Sequence, residues 1–395
     1  MQLTSRLKAL RAVLAVADSG STARAADLLH LSQPSVARAI AQVQVTAGLT
    51  LFERGGRGMR PTPAGTLLAA RTRRALAYLA RADIGPWRIG TSARGRLAEM
   101  VTSRQLDVLI ALSQHASERR AADSLGVSQP AVHQALVQLE HLAGEPLFDR
   151  LASGLRLTAK GAWVVQQTKL AQAEWFGAHQ ELSELVGQLQ GQLTVGTLPF
   201  STGWIVPRAI ERVAAVYPAV QMTLVDGTYE TLVAQLRQAD IDVLVGALRA
   251  KPPHGLKQMP LFDDPLAVVV RAGHPWCRKA PKRLADTHNA AWILPMPGAP
   301  ARTALAEAFA AEGLQLPRGV QINSPTLIQA SLLSSDRPAL MSPRQVEHEI
   351  ASGLLAVVPL PVRHAPRSIG FLVRDDLEPA PALRRFLEVL PALLS

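Results

Sequence analysis

Apolar residues recur at helical spacing through the first part of the chain and predict a small, mostly helical domain. Leu7, Leu10, Val13, Leu14 and Ala17 would lie on one face of a first helix. The same reasoning predicts helices at residues 21–29, from Ser32 to Gly48 and from about Pro63 to Ala82, with a strand–turn–strand segment at 51–62. The order of these elements predicts a helical domain that carries a short hairpin.

The same pattern returns 96 residues later with no insertion or deletion. Residues 24–35 read RAADLLHLSQPS and residues 120–131 read RAADSLGVSQPA. Twenty of the 42 positions aligned between 24–65 and 120–161 are identical. Solenoid repeats run about 20–50 residues, so a repeat of this length indicates duplication of a whole domain.

In each copy, a short helix, a tight turn and a capped helix precede the hairpin, as in winged helix-turn-helix domains that read DNA. We predict two tandem winged helix-turn-helix domains at 1–83 and 97–160, joined by a linker at 84–96. A linker helix would follow at 161–191. Its stripe of apolar residues predicts a partner surface and therefore dimerisation through Leu182, Leu185, Val186 and Leu189.

From residue 192 onward, short apolar runs alternate with amphipathic helices. This alternation predicts an α/β domain with parallel strands at 192–395. The runs fall into two successive units, the second beginning at about residue 265.

Positive charge is concentrated in the first repeat. The chain has a formal net charge of +11. Residues 1–96 contain 15 Lys+Arg and 4 Asp+Glu, whereas residues 97–191 contain 7 and 10. An excess of this kind favours a polyanionic partner, of which double-stranded DNA is the commonest.

Composition also argues against several other classes of protein. The single cysteine, Cys277, rules out an intramolecular disulfide. The N-terminus lacks a signal-peptide core and no run of 18 apolar residues occurs, so we expect a cytoplasmic protein without a membrane span. His254, His274 and His288 lack metal-ligand spacing, and no catalytic constellation is visible. We therefore expect no enzyme activity, metal or cofactor.

Several segments together resemble the LysR-type transcriptional regulators. They are RAADLLHLSQPSV, LFERGGRGMRPTPAG, VPRAIERVAAVYPAV, ADIDVLVGAL and GHPW, which span nearly the whole chain. The resemblance implies a sequence-specific DNA-binding regulator whose C-terminal part has the two-lobed periplasmic-binding-protein fold. Lobe I would then span about 192–264 and 366–395, and lobe II about 265–365. It further implies a small effector, commonly an anion, bound between the lobes, and a homodimer or homotetramer formed through the linker helix and the effector lobes. The second helix-turn-helix domain is a departure from the family pattern.

The N-terminal residues of each capped helix would reach base edges in the major groove, and basic residues on each wing would contact phosphates. The first domain offers Ser32, Gln33, Pro34, Ser35, Arg38, Arg54, Arg57, Arg60 and Thr62. The second offers Ser128, Gln129, Pro130, His133, Gln134, Arg150, Arg156 and Thr158. Glutamine can bond adenine in two places, and arginine can bond guanine.

Helix N-termini that follow strand ends in the α/β domain are candidate anion sites, because they present free N–H groups and a positive dipole. The residues at these positions are Ser201, Thr202, Thr228, Gly298, Arg302 and Ser324. Each could instead serve only as a helix cap, and the resemblance to the family is what implies that they converge on one cleft.

Three alternatives remain open from the sequence. The second domain could mainly connect and dimerise while the first reads DNA, or both could read an extended operator. A pair formed by two copies of the first long helix would bring like charges together. These charges belong to Arg71, Arg73, Arg74 and Arg81. The protein could also be an architectural DNA binder that responds to no effector.

Overall fold

The computed structural model describes residues 6–55, 58–85, 96–198, 204–360, 362 and 366–394. Most of the proposed linker, as well as Arg57, Ser201 and Thr202, therefore lies outside the described residues. Within the described part, no helix is both long enough and apolar enough to cross a membrane.

The first domain consists of four helices and a two-stranded hairpin. The helices are α1 (Leu7–Ser19), α2 (Thr22–Leu28), α3 (Gln33–Ala47) and α4 (Pro63–Ile84), and the wing strands are β1 (Phe52–Gly55) and β2 (Gly58–Pro61). Serine and threonine side chains cap the helices: Ser21, Ser32 and Thr62 each accept a hydrogen bond from the first turn of the helix that follows.

The second domain repeats these elements after one short additional helix. It contains α5 (Arg96–Met100), α6 (Ser103–His115), α7 (Glu118–Leu125), α8 (Gln129–Ala143), β3 (Phe148–Leu151), β4 (Gly154–Leu157) and α9 (Ala159–Leu185). The two hairpins pair in the same register, with Phe52 opposite Pro61 and Phe148 opposite Leu157. The 96-residue repeat in sequence is therefore also a repeat of structure.

A close backbone contact explains why one glycine of the wing recurs in both repeats. Gly58 has φ +122°, and a Cβ on it would lie 2.4 Å from the carbonyl oxygen of Gly20; Gly154 has φ +123°, and a Cβ there would lie 2.6 Å from the Ala116 oxygen. Each contact fixes a wing against the turn between the first two helices of its domain. The repeat thus preserves the position of the wing relative to the reading helix.

The remaining chain forms two units, each built of one five-stranded sheet and the helices that flank it. The first includes β5 (Gly191–Thr197), α10 (Ile205–Val216), β6 (Val220–Asp226), α11 (Tyr229–Arg237), β7 (Val243–Ala247), β8 (Leu256–Pro265), β14 (Pro366–Arg374) and α15 (Pro381–Ala392). The second includes β9 (Ala267–Arg271), β10 (Trp292–Leu294), α12 (Pro300–Ala310), β11 (Gly319–Gln321), α13 (Pro325–Ser334), β12 (Ala339–Met341), α14 (Glu347–Ala351) and β13 (Leu355–Val358). We refer to these two units as lobe I and lobe II.

Both sheets are mixed, so the expectation of parallel sheets was only partly right. The strand orders are β6-β5-β7-β14-β8 and β11-β10-β12-β9-β13. The strands joined by helical crossovers are parallel, as predicted. β14 is antiparallel to β7 and β8, and β9 is antiparallel to β12 and β13. These strands enter or leave a lobe where the chain passes from one lobe to the other, so no helical crossover sets their direction.

The apolar stripe predicted for the linker helix does not exist as one surface. Helix α9 ends at Leu185, and Leu189 lies beyond it in the core of lobe I. Leu182 is buried in the core that the two N-terminal domains share, whereas Leu185 and Val186 are half exposed. Periodicity alone could not place the helix end, which comes at the turn to Gly187 with φ +79°.

Helices α4 and α9 pack against each other in antiparallel orientation. Near the end of α4, the carbonyl oxygens of Ala82 and Arg81 accept hydrogen bonds from Lys160 Nζ (2.8 Å) and Trp163 Nε1 (3.0 Å) at the start of α9. Near the start of α4, Arg71 meets the later part of α9. One hydrophobic core consequently spans both N-terminal domains.

Arg71 connects three parts of the molecule. Its guanidinium contacts Glu174 (3.0 Å) and Glu181 (2.6 Å) of α9 and donates to the Glu378 carbonyl oxygen (2.9 Å) before α15. Burial alone would lower the pKa of Arg71, but hydrogen bonds and charges from Glu181 and Glu174 outweigh it and raise the pKa. The expectation that two copies of the first long helix would bring like charges together stays a prediction, because α4 packs here on α9, which supplies carboxylates.

Replacing Arg71 with alanine should strongly destabilise the N-terminal half of the protein. The change would leave Glu181 without its partner and the buried Glu174 with Arg74 alone, a loss of about 3 kcal/mol in free energy of unfolding. The matched control is Arg73→Ala on the same helix, since the Arg73–Asp18 pair is more than half exposed and contributes about 0–1 kcal/mol. Urea unfolding followed by circular dichroism measures both, and equal losses would contradict the central role of Arg71.

Candidate DNA interface and effector cleft

The N-terminus of α3 presents the first candidate reader. Ser32, Gln33, Pro34 and Arg38 are exposed, and Ser35 is partly exposed. The Ser32 hydroxyl caps the helix and lies 2.8 Å from the Ser35 hydroxyl. Gln33 Nε2 donates to Thr22 Oγ1 on α2 (3.1 Å), which holds the amide above the helix end. Ser32 is thus mainly a cap, and Gln33 and Arg38 are the groups best placed to meet base edges.

The first wing carries two exposed arginines beside this helix. Arg54 lies on β1 and Arg60 on β2, and among the described residues no carboxylate lies within ion-pair distance of either guanidinium. A groove of about 550 Å³ runs between α3 and the wing, with Gln33 and Arg54 on its walls. Thr62 is different: its hydroxyl caps α4 and donates to the Thr50 carbonyl oxygen (2.7 Å), so it has a structural role.

The N-terminus of α8 presents the second candidate reader. Ser128, Gln129, Pro130, His133 and Gln134 are all exposed. The Ser128 side chain makes no capping hydrogen bond, unlike Ser32. Thr158 again serves as a cap, because its hydroxyl accepts from Gly161 N (2.9 Å).

Carboxylates hold the basic groups of the second wing. Glu118 Oε1 lies 3.1 Å from Arg150 Nη2 and 3.2 Å from His133 Nδ1. Arg156 Nη2 lies 3.2 Å from Asp149. In the first domain, Thr22 occupies the position equivalent to Glu118. The same backbone therefore carries a free cationic wing in one copy and a partly neutralised wing in the other.

The predicted effector residues are mostly occupied by local structure. Thr228 and Ser324 cap α11 and α13 by accepting from Thr231 N (3.3 Å) and Leu327 N (3.4 Å). Arg302 Nη1 donates to the Pro295 carbonyl oxygen (3.2 Å) within lobe II. Gly298 forms the turn before α12 with φ +77°.

Arg249 joins the two lobes and was missed by sequence reasoning. It follows β7 in lobe I, where its guanidinium lies 4.4 Å from the Tyr229 ring centroid, next to the cap of α11. It also donates to the carbonyl oxygen of Gly298 in lobe II. Arg249 thus brings the N-termini of α11 and α12, both predicted as anion sites, to the same side of the cleft. A basic residue in a loop gives no sequence signal for such a contact.

A buried polar cluster lies where the chain crosses between the lobes. Arg367 on β14 forms a salt bridge with Asp264 on β8 (2.6 Å), and Ser342 of lobe II donates to the same carboxylate (2.7 Å). All three side chains are buried. On the facing surfaces of the lobes, Arg344 lies over the rings of Trp204 and Phe262. These contacts hold lobe I and lobe II together where the chain crosses between them.

The described residues contain no group of three or more His, Cys, Asp or Glu that could hold a metal ion. Cys277 is exposed and its thiol is free.

Comparison with known proteins gives the same family for both halves of the chain. A model described as "Bacterial regulatory helix-turn-helix protein, lysR family" matches residues 7–66 and again 103–162. A model described as "LysR substrate binding domain" matches residues 187–395. The double match agrees with the duplication seen in the sequence.

Relatives differ in how much of the chain they match. The HTH-type transcriptional regulator GalR of Pseudomonas putida is 36% identical over 381 residues, which cover 95% of this chain and 94% of GalR. PcaQ of Agrobacterium fabrum is 26% identical over 294 residues, 74% of this chain and 94% of PcaQ. An alignment over 381 residues is too long for GalR to lack a whole 96-residue repeat.

Solved structures share the fold. Full-length OxyR from Pseudomonas aeruginosa, determined as a point variant, aligns with a TM-score of 0.55 at 24% identity and covers 74% of this chain and 94% of its own. CbnR aligns with a TM-score of 0.53 at 20% identity, covering 73% and 98%. The relatives named here are all transcriptional regulators, in agreement with the expectation that this chain is not an enzyme. The chain belongs to the LysR family of DNA-binding transcriptional regulators with an effector-binding domain.

Proposed function

We propose that this regulator reads DNA through two tandem winged helix-turn-helix domains and responds to a small organic anion held between two periplasmic-binding-protein-like lobes. DNA as the ligand also implies a cytoplasmic protein. As in the family pattern, it would act as a homo-oligomer. The observation that carries the proposal is the exposure of equivalent glutamines, Gln33 and Gln129, at two helix N-termini that each lie beside a basic wing.

The first domain supplies most of the electrostatic affinity in this proposal. Arg54 and Arg60 can neutralise phosphates without first breaking an ion pair. Arg150 and Arg156 must leave Glu118 and Asp149. The arginine of each pair is exposed to solvent, although Glu118 is largely buried, so the second wing still contributes, but less. The net charges of the two repeats point in the same direction.

The effector cleft in this proposal centres on Arg249 rather than on Arg302. A carboxylate placed between α11 and α12 would meet the Arg249 guanidinium and two helix N-termini. Arg302 bonds its own lobe, so it would contribute only after leaving Pro295. Thr228 and Gly298 lie at these two helix ends and Ser324 lies at the N-terminus of α13, where backbone N–H groups are the donors.

Selection of DNA from a random pool by the full-length chain tests the function directly. A sequence-specific regulator enriches a defined site, and a small carboxylate then changes its affinity for that site or the footprint on it. Enrichment of a site with no response to any effector would favour the architectural alternative. Enrichment of no site would contradict the proposed function.

Removing both arginines of the first wing should flatten the salt dependence of DNA binding. Each lost phosphate contact lowers the slope of log K against log salt by about 0.9, so Arg54→Ala with Arg60→Ala should remove about 2. The matched variant, Arg150→Ala with Arg156→Ala, should remove less than half as much. Fluorescence anisotropy across a salt series measures both slopes, and equal losses would contradict the unequal wings.

Replacing Glu118 with threonine should strengthen DNA binding by the second domain. Glu118→Thr installs the residue of the first repeat and frees Arg150 and His133. The affinity for any duplex should rise and the salt slope should steepen by about 1. Asp123→Asn removes one negative charge from the same helix away from Arg150 and should do less. An unchanged slope for Glu118→Thr would show that the pair does not restrain Arg150.

Small carboxylates should raise the thermal stability of the full chain, because a ligand that binds only the folded state stabilises it. For a carboxylate that raises the thermal stability, Arg249→Ala should weaken binding. The variant loses a charged hydrogen bond, a cost of about 1.5–3 kcal/mol. Arg337→Ala is the control, since Arg337 bonds the Ala291 carbonyl oxygen of lobe II. Thermal-shift titrations compare the two, and equal affinities would remove Arg249 from the site.

A further inference from the structure

The two N-terminal domains of one chain meet at equivalent residues. Leu7 and Ser103 are 96 positions apart and therefore occupy the same place in the two repeats. Leu7 N donates to Ser103 Oγ (3.1 Å). When equivalent positions of two copies touch each other, a two-fold axis relating the copies passes between them. This contact therefore marks one point on an approximate two-fold axis inside the chain.

The helix pair marks a second point on this axis. The contacts of α4 with α9 run in antiparallel register from Arg71–Glu181 to Ala82–Lys160. Midway between these ends lie Ala75 and Ala171, which again are equivalent in the repeats, and both are fully buried. Two copies of the same helix packed antiparallel about their centres are related by a two-fold rotation.

The joined surfaces are buried and leave little room for exchange with another chain. Arg71 and Glu174 are almost fully buried within the pair. Arg11 of α1 donates to the carbonyl oxygens of Ala98 (2.6 Å) and Val101 (3.0 Å) next to α6, and burial lowers the pKa of Arg11 to about 10. The linker-helix surface through which the family dimerises is thus already covered within one chain.

We propose that one chain places both of its readers on one operator made of two inverted and non-identical half-sites, so that a homo-oligomer forms through surfaces other than this helix pair. The proposal rests on the proposed function, since it requires both domains to read DNA. A two-fold axis between readers implies inverted rather than direct half-sites. Three differences between exposed or partly exposed reader positions make the half-sites unequal: Ser35 against Ala131, Ala37 against His133 and Arg38 against Gln134.

The side chains at these positions predict which bases the two half-sites have in common. Gln33 and Gln129 are equivalent and exposed, so both half-sites should contain the base pair that this glutamine reads, with adenine the best partner. Arg38 favours guanine, whereas Gln134 favours adenine. The operator is therefore expected to be an imperfect inverted repeat.

The approximate two-fold relation between the two N-terminal domains does not extend to lobe I. It is held by Lys169 of α9, which pairs with Asp240 (2.7 Å), and by Gln180, which bonds both Gln192 O and Ala382 N. The equivalent positions in α4 are Arg73 and Ile84, and Arg73 pairs with Asp18 of its own domain. One chain thus carries two readers and one effector domain.

Selection of DNA and a reader exchange test the unequal half-sites. The full-length chain should enrich an imperfect inverted repeat from a random pool. A chain carrying Ala131→Ser, His133→Ala and Gln134→Arg should instead prefer a perfect inverted repeat of the first domain's half-site, by about tenfold or more over the original site. These side chains are exposed or partly exposed, so the fold should tolerate the changes. A single half-site, a direct repeat or a perfect repeat selected by the unaltered chain would overturn the proposal.

Mixing two disabled chains tests whether one chain supplies both readers. Gln33→Ala with Arg38→Ala disables the first reader, and Gln129→Ala with Gln134→Ala disables the second. Each variant should lose protection of a different half-site, and their mixture should not restore full binding. An excess of duplex carrying one selected site should titrate at one chain per duplex. Restored binding in the mixture, or two chains per duplex, would show that the readers come from separate chains. Selection of no sequence at all would instead count against the proposed function.

Discussion

The guanidinium of Arg71 is buried between two helices that begin nearly a hundred residues apart in the chain. It bonds Glu174 and Glu181 on one side and the backbone before α15 on the other. A charge in such a place is stable only when every partner stays in position, because an unpaired buried charge costs several kcal/mol. This one group therefore fixes how the two N-terminal domains face each other and where lobe I lies on them.

The same backbone plan serves two readers of different character. Equivalent glycines, caps and core residues keep α3 and α8 in the same position relative to their wings. One substitution, Thr22 in the first copy against Glu118 in the second, decides whether the wing arginine is free or paired. A duplicated domain can thus keep its fold while its surface charge changes, since the exposed positions contribute little to stability.

The effector-binding domain contains a buried polar network and, apart from it, the N-termini of α11 and α12, which Arg249 brings together. Asp264, Arg367 and Ser342 form a buried network where the strands pass between lobes. Farther out, Arg249 reaches from lobe I to the Gly298 turn of lobe II. A ligand that took the place of this contact would change how the lobes are held together. The direct attachment of lobe I to α9 would pass such a change to the helix pair that holds the readers.

The sequence alone predicted the helices and wings of both N-terminal domains, whereas the roles of the candidate site residues stay predictions. Periodicity, caps and turns gave both helix-turn-helix copies, because these signals are local and occur twice. It could not decide which helix pairs with which, since that depends on contacts between distant residues. The arginines of α4 look unfavourable for packing until α9 supplies Glu174 and Glu181. Contacts between distant residues also decided four other features: the end of α9, the antiparallel strands, the Glu118 cluster and the Arg249 contact. Tertiary packing places carboxylates and carbonyl oxygens beside groups from which they are far apart in sequence.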